Sequence, residues 1–127
     1  MTDGLSVVNL ANALLNTVNN TSFAIAATYV QLHIGSPGPN GTSNPSVVTT
    51  REQITFAVAS GGAIALSATP SAWNMTATET ITDISVWSAA TSGTFYWSAP
   101  LSVSKSVTNG DTLTLNTCGL SLSPLAA

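Results

Sequence analysis

The sequence is poor in charge. Only seven of its 127 residues are charged, two Lys or Arg and five Asp or Glu, which is 6% against about 25% in ordinary globular domains. Two cations, Arg51 and Lys105, are too few to neutralise the phosphates on which nucleic-acid affinity depends, so no nucleic-acid partner is expected. Hydrophobic residues make up 44% of the chain, a composition that excludes an intrinsically disordered protein.

Long hydrophobic runs are also missing. Ser, Thr, Asn or Gly interrupts every apolar stretch before it reaches the roughly 18 residues that a membrane span needs, so no membrane partner is expected. The N-terminus has no basic residue ahead of its apolar stretch, which predicts no signal peptide and synthesis in the cytoplasm. The one cysteine, Cys118, has no internal disulfide partner and is expected to be a small core residue.

Groups that catalyse reactions or hold metals are scarce. His33 is the only histidine, and strand alternation predicts that it points to solvent or to a subunit contact, without a group to orient it as a general base. One His and one Cys are too few for a zinc site. Glu79 and Asp83 are the only close carboxylate pair; a weak Ca²⁺ site is conceivable there, but solvated surface charges are the expected explanation. We therefore predict no catalytic residue, no metal ligand, no cofactor and no enzymatic activity.

The chain length predicts a single domain over residues 1–127 that begins with an amphipathic helix over residues 4–19. Thr2 or Asp3 is expected to cap the helix, and Asn19-Asn20 to end it. A lone helix of this length is marginal in water, so its apolar face should dock on the chain's own sheet or, as the alternative, on a neighbouring subunit. That apolar face contains Val7, Leu10, Ala11, Leu14, Leu15 and Val18.

Residues 23–122 have the pattern of β-structure. About eight short strands at hairpin spacing predict a mainly β fold, an antiparallel β-sandwich or jelly-roll-like domain. Alternation predicts that Ile34 and Val58 face the core, and Gly61-Gly62 and Asn109-Gly110 are expected hairpin turns, the second of type I′. Between the strands, residues 35–46 contain three Pro and three Gly and form a long loop of the kind that is usually functional or covers a partner.

The aromatic residues allow two interpretations. Strand positions of this kind usually fill a core, but exposed aromatic rings in a row bind sugars in many proteins. The candidates for such a platform are Trp73, Trp87, Trp97, Tyr29 and Tyr96.

Four segments resemble conserved blocks of small structural proteins of tailed-phage virions, a group described as tail-fibre-like, minor tail or capsid decoration proteins. The first segment is YVQLHIGSPGPNGT over residues 29–42, and the second is REQITF over residues 51–56. The third is TITDISVWSAATSG over residues 80–93, and the fourth is PLSVSKSVTNGDTLTL over residues 100–115. The resemblance covers nearly the whole chain and implies a non-enzymatic structural role in a bacteriophage virion.

Two functions fit this resemblance. The first is a capsid decoration (cement) protein bound to the outer shell in many copies. The second is a minor tail or tail-fibre module at the tail tip that contacts host surface sugars. The expected partners are further copies of the chain, as a trimer or other homo-oligomer, together with the major capsid protein or, in the second case, tail proteins. The predicted interface residues come from the helix and the long loop: Val7, Leu10, Leu14, Val18, Pro37, Pro39, Asn40 and Pro45.

Overall fold

The computed structural model describes residues 2–126 and is mainly β, with eight strands in antiparallel sheets and one short N-terminal helix. The strands are β1 (Thr28–His33), β2 (Glu52–Ile54), β3 (Ala63–Ala65), β4 (Trp73–Asn74), β5 (Glu79–Trp87), β6 (Phe95–Val107), β7 (Thr112–Leu113) and β8 (Gly119–Ser121). The predicted fold class is therefore confirmed.

One four-stranded sheet organises the molecule, in the order β2-β1-β5-β6. Two ribbons, β3 with β8 and β4 with β7, contribute to the same hydrophobic core. Strand pairing places Val30 opposite Val86 and Leu32 opposite Ile84 on one face of the sheet, which we call the ribbon face. The opposite face carries His33, Ser85 and Trp87, and we call it the loop face because residues 34–46 cover it.

The N-terminal helix is shorter than predicted and irregular. It consists of a π-helical turn (Val7–Ala11), an α-helix (Asn12–Asn16) and a 3₁₀ turn (Thr17–Asn19). Ser6, not Thr2 or Asp3, caps it, because the Ser6 hydroxyl accepts a hydrogen bond from the Asn9 amide at 3.2 Å. Asn20 ends it with a left-handed conformation at φ 55°, as predicted from the tolerance of Asn for that region.

The chain just ahead of the helix extends the four-stranded sheet. Leu5 forms an antiparallel bridge with Trp97, and backbone hydrogen bonds run from Ser6 to Tyr96 and from Ser98 to Gly4. These bonds cover part of the outer edge of β6, a site where unpaired backbone groups would otherwise invite association.

Several strand details differ from the sequence-based expectation. Ile34 is 46% exposed and Val58 is 94% exposed, because each follows the point where its strand's regular pairing ends. The turn at Gly61-Gly62 is confirmed by the Ser60–Ala63 bridge.

The turn at Asn109-Gly110 is present but is not type I′. Gly110 alone has positive φ there, whereas a type I′ turn needs positive φ at both central residues. β7 then pairs with β4 and not with β6.

β6 is one long strand of 13 residues, and it carries a large bulge. Lys105 pairs with Ile81 and Pro100 pairs with Asp83, so residues 101–104 face a single residue of β5. A proline is tolerated here because β6 is the last strand of its sheet.

Candidate interaction surface

The Gly/Pro-rich loop is folded into a closed cap. Its two ends pair with each other, since the Ile34 amide donates to the Asn44 carbonyl at 2.9 Å and the Ser46 amide donates to the Leu32 carbonyl at 3.1 Å. Within the loop, the Asn44 side chain donates to the Ser36 carbonyl at 3.0 Å. Pro37 lies inside the cap. The loop is therefore a fixed surface element of the kind expected where a loop closes on its own ends.

Gly41 lets the loop pack directly on the sheet. It has φ +75°, and a Cβ atom there would lie 2.4 Å from the Phe95 ring. Only glycine meets both conditions without displacing the ring or straining the backbone.

A buried chain of hydrogen bonds joins the loop to the sheet. His33 is completely buried within the chain, so the prediction that it points to solvent or to a subunit contact is wrong. Its Nδ1 lies 2.8 Å from the Ser43 carbonyl and its Nε2 lies 2.7 Å from the Ser85 hydroxyl. Because a carbonyl can only accept, Nδ1 carries the proton and Nε2 accepts from Ser85. The Ser85 oxygen in turn accepts from Trp87 Nε1 at 2.7 Å.

No local pattern in the sequence indicates this His–Ser pair, because the two residues are 52 positions apart. A serine within hydrogen-bond distance of a histidine also occurs in nucleophilic catalysis. Here both residues are 0% exposed and the serine oxygen already accepts the tryptophan N–H. Burial also lowers the pKa of His33, which favours the neutral ring. The arrangement anchors the loop.

The two carboxylates considered for a cation site, Glu79 and Asp83, lie in different surroundings. Glu79 accepts hydrogen bonds from the Ser46 hydroxyl and the Val47 amide, and so holds the far end of the loop. Asp83 is 8% exposed, so the expectation of a solvated surface charge is wrong for it. Its burial, with the neighbouring Asp3, raises its pKa. Among residues 2–126, no three His, Cys, Asp or Glu side chains gather in a way that could hold a metal ion.

Arg51 fixes the turn that follows β5. Its guanidinium lies 4.0 Å above the Trp87 ring and donates to the carbonyls of Ala89 and Ser92 and to the Gln31 side chain. Burial lowers its pKa.

The aromatic residues do not form a sugar-binding platform. Trp73, Trp87, Trp97 and Tyr96 are each 8% exposed or less, whereas Tyr29 is partly exposed. Trp73 also donates its Nε1 hydrogen to the Thr50 carbonyl at 2.9 Å. A stacking platform needs a row of open ring faces, and the four buried rings do not provide one. Trp73, Tyr96 and Trp97 instead fill the core. Cys118 packs half-buried against the same core, where burial raises its pKa to about 11 and keeps the thiol protonated.

The N-terminal helix leaves most of its apolar face in solvent. Leu10 is 1% exposed and docks in the core, whereas the expected docking of the whole face on the chain's own sheet does not occur. The exposed apolar residues form what we call the helix stripe: Val7 (66% exposed), Val8 (77%), Leu14 (39%), Leu15 (70%) and Val18 (89%). Leu10, Leu14 and Val18 follow one another at four-residue steps, so the exposed Leu14 and Val18 continue the row that Leu10 begins.

A groove adjoins the helix stripe. It encloses about 730 Å³ between the chain's N-terminal segment, the tip of the long loop and the turn before β6. We call it the N-terminal groove, and its walls include Leu5, Val7, Val8, Pro39, Asn40 and Thr94. Val7 and Val8 belong to both features, so the helix stripe and the groove form one continuous surface.

Of the eight predicted interface residues, two are buried within the chain and six are exposed. Leu10 and Pro37 are buried within the chain and are not accessible to a partner. The exposed ones are Val7, Leu14, Val18, Pro39, Asn40 and Pro45. Val8 and Leu15 were not among the predicted interface residues, although they are among the most exposed apolar residues of the helix. The sequence could not indicate them, because the exposed side of the helix is set by the burial of Leu10 in the core.

The fold and this surface define a small antiparallel β module with a rigid loop cap and an unpaired apolar helix. The family model described as Podophage GP4 fiber I protein gp80 matches residues 6–123. The chain belongs to this family, which confirms the predicted resemblance to structural proteins of tailed-phage virions. No curated protein matches the chain. In the part of the chain that the structure describes, no helix is long and apolar enough to cross a membrane.

Proposed function

We propose that this chain is a non-enzymatic building block of the tail fibre of a short-tailed bacteriophage virion. Family membership supports a structural role in the virion, and the family is described as one of fibre proteins. The observation that carries the proposal is the match over residues 6–123, which includes the helix, the loop cap and the sheet.

The geometry suits a structural protein that is part of a larger assembly. The one Ser–His pair is sealed inside the protein, and the polar groups on the loop face bond to one another and to the loop backbone. The loop cap and the N-terminal segment give the module fixed outer surfaces, and the helix stripe offers an apolar contact.

The tail-fibre role is favoured over the capsid decoration role by the fibre description of the family. In this proposal the partners are other copies of the chain and other tail proteins. Contact with host surface sugars is not part of the proposal, because four of the five aromatic side chains that suggested it are buried.

Copy number distinguishes the two structural roles. Quantitative mass spectrometry of purified virions should give a small number of copies for each particle, measured against the major capsid protein as the internal standard. Copies comparable in number to the capsid subunits would contradict the tail-fibre role and would support shell decoration.

A further inference from the structure

We propose that one proton shared between the carboxyl groups of Asp3 and Asp83 fastens the N-terminal segment to the four-stranded sheet, and that loss of this proton at higher pH loosens the segment. We call this pair the carboxyl clasp. The proposal describes a conformational device of the single chain, so it goes beyond the role of the chain in the virion and does not depend on that role.

The two carboxyl groups meet where three parts of the fold come together. Asp83 lies on β5 in the four-stranded sheet and is 8% exposed. Asp3 lies in the segment ahead of the helix, and its Oδ1 accepts from the Ser36 hydroxyl of the loop cap at 2.6 Å. Contact between Asp3 and Asp83 therefore ties the N-terminal segment to both the sheet and the loop cap.

The hydrogen bond between the two carboxyl groups needs a proton, because ionised carboxylates only accept hydrogen bonds. The neighbouring hydroxyls each donate to one carboxyl group: Ser36 donates to Asp3 Oδ1, and Thr82 donates to Asp83 Oδ2. A proton on one of the two carboxyl groups therefore makes the contact between them attractive. When both are ionised, the like charges repel each other.

The neighbouring strands and the loop bring no positive charge to Asp83. Its partner on β1 is His33, whose Nδ1 donates to Ser43 and whose pKa is lowered by burial, which favours the neutral ring. Its partner on β6 is Pro100. The loop cap, residues 34–46, contains no charged side chain.

The other charged side chains nearby are engaged elsewhere. Arg51 donates to carbonyls of the turn after β5, Lys105 is exposed on β6 beyond the bulge, and Glu79 holds the far end of the loop. Among residues 2–126, Asp3 is the one charged group that acts on the pKa of Asp83. A proton, and no side-chain cation, therefore relieves the repulsion between the two carboxyl groups.

The direction of the pH dependence follows from these contacts. Burial, and then the contact with Asp3, raises the pKa of Asp83 above its ordinary value of 3.8. The folded chain therefore keeps this proton at pH values where an unfolded chain has lost it. The stability that the clasp provides is fully present below pH 3.8 and is lost as the pH rises through the raised folded pKa.

Loosening of the clasp acts on the chain directly beside it. The N-terminal segment is held on the edge of β6 by hydrogen bonds from the Ser6 amide to the Tyr96 carbonyl at 2.7 Å and from the Ser98 amide to the Gly4 carbonyl at 2.9 Å. The helix begins directly after this segment. Opening of the clasp therefore weakens the cover over the outer edge of β6 and frees the start of the helix.

Hydrogen exchange of the full-length chain, followed by NMR, tests the clasp at the amides of Ser6 and Ser98. The protection factor is the intrinsic exchange rate divided by the measured rate at each pH, so it removes the pH dependence of the exchange chemistry itself. In the wild type both protection factors should fall severalfold from about pH 4 to about pH 8.

Two conservative variants separate the clasp from other titrating groups. Asp3→Asn imitates the closed clasp, because an amide at position 3 can donate to Asp83 at any pH, so the two protection factors should stay at their acidic values. Asp111→Asn is the matched control, since Asp111 is exposed and accepts from Thr108 in the turn after β6. It should keep the pH dependence of the wild type. Far-UV circular dichroism checks that both variants fold.

Constant protection in the wild type would overturn the proposal, as would the same loss of protection in Asp3→Asn or a loss of pH dependence in Asp111→Asn. Titration of His33 is common to all three chains, so it does not produce a difference between them. Carbon-13 NMR of the carboxyl carbons gives an independent result. A shared proton makes Asp3 and Asp83 titrate in two coupled steps, and an Asp83 titration curve that is identical in the wild type and in Asp3→Asn would contradict the clasp.

Discussion

At the residue scale, Gly41 shows how the loop cap depends on one missing side chain. Gly41→Ala should destabilise the fold, because the new methyl group would overlap the Phe95 ring at a positive φ of 75°. Gly110→Ala is the matched control, since Gly110 also has positive φ but has no atom within 4 Å of a Cβ. Left-handed backbone costs about 1–2 kcal/mol in both variants, and overpacking costs about 1–3 kcal/mol more in Gly41→Ala alone. Urea denaturation measures both, and equal losses would contradict the close packing of the loop on the sheet.

His33 makes stability depend on pH. Burial lowers its pKa below the ordinary 6.5, so on acidification the unfolded chain takes up this proton before the folded chain does. The stability that neutral His33 provides is present above pH 6.5 and is lost as pH falls through the lowered folded pKa. His33→Gln should therefore lose less free energy of unfolding than the wild type between pH 7.5 and pH 5.

Comparing the two chains removes the contribution of Asp83, whose raised pKa acts in the opposite direction with pH. Urea denaturation at both pH values gives the difference. If the pH dependence of the free energy of unfolding is identical in the two chains, His33 is not the buried neutral group described here.

At the element scale, the strands differ in how well they are protected. β1 and β5 form the centre of the four-stranded sheet, and both faces of that sheet are covered. The β3–β8 ribbon has only three paired positions. One of its sides is exposed and consists of Ala63, Ala65, Gly119 and Ser121. Local opening is easiest where few apolar contacts are buried. Hydrogen exchange should therefore reach residues 63–65 and 119–121 well before residues 29–33 and 84–87, and mass spectrometry resolves these segments. Uniform protection would contradict the division into a central sheet and peripheral ribbons.

The elements also show how far the sequence could predict the fold. Local rules predicted the Asn20 helix stop, the turn at Gly61-Gly62 and the mainly β class, because each depends on nearby residues. They failed at His33, since strand alternation does not show that a distant loop will fold over the outer face of a sheet. They failed again for the helix, whose periodicity shows an apolar face but not the depth to which its own chain buries that face. The pairing of β7 with β4 is similarly decided by long-range packing.

At the scale of the whole molecule, the chain combines few charges, a capped polar sheet face and a helix with a free apolar stripe. Within residues 2–126, every buried side-chain nitrogen and oxygen has a hydrogen-bond partner. The outer surface of the helix, in contrast, keeps apolar side chains in solvent. This arrangement fits a structural module of a virion, in agreement with the family to which the chain belongs.

The central claim is that the chain belongs to the tail fibre, and its location on the particle tests this most directly. Gold-labelled antibodies against the chain, applied to intact virions and viewed by electron microscopy, should label the tail and leave the shell bare. Antibodies against the major capsid protein on the same preparation give the matching shell pattern as a control. Label spread over the shell, coinciding with that control, would contradict the account.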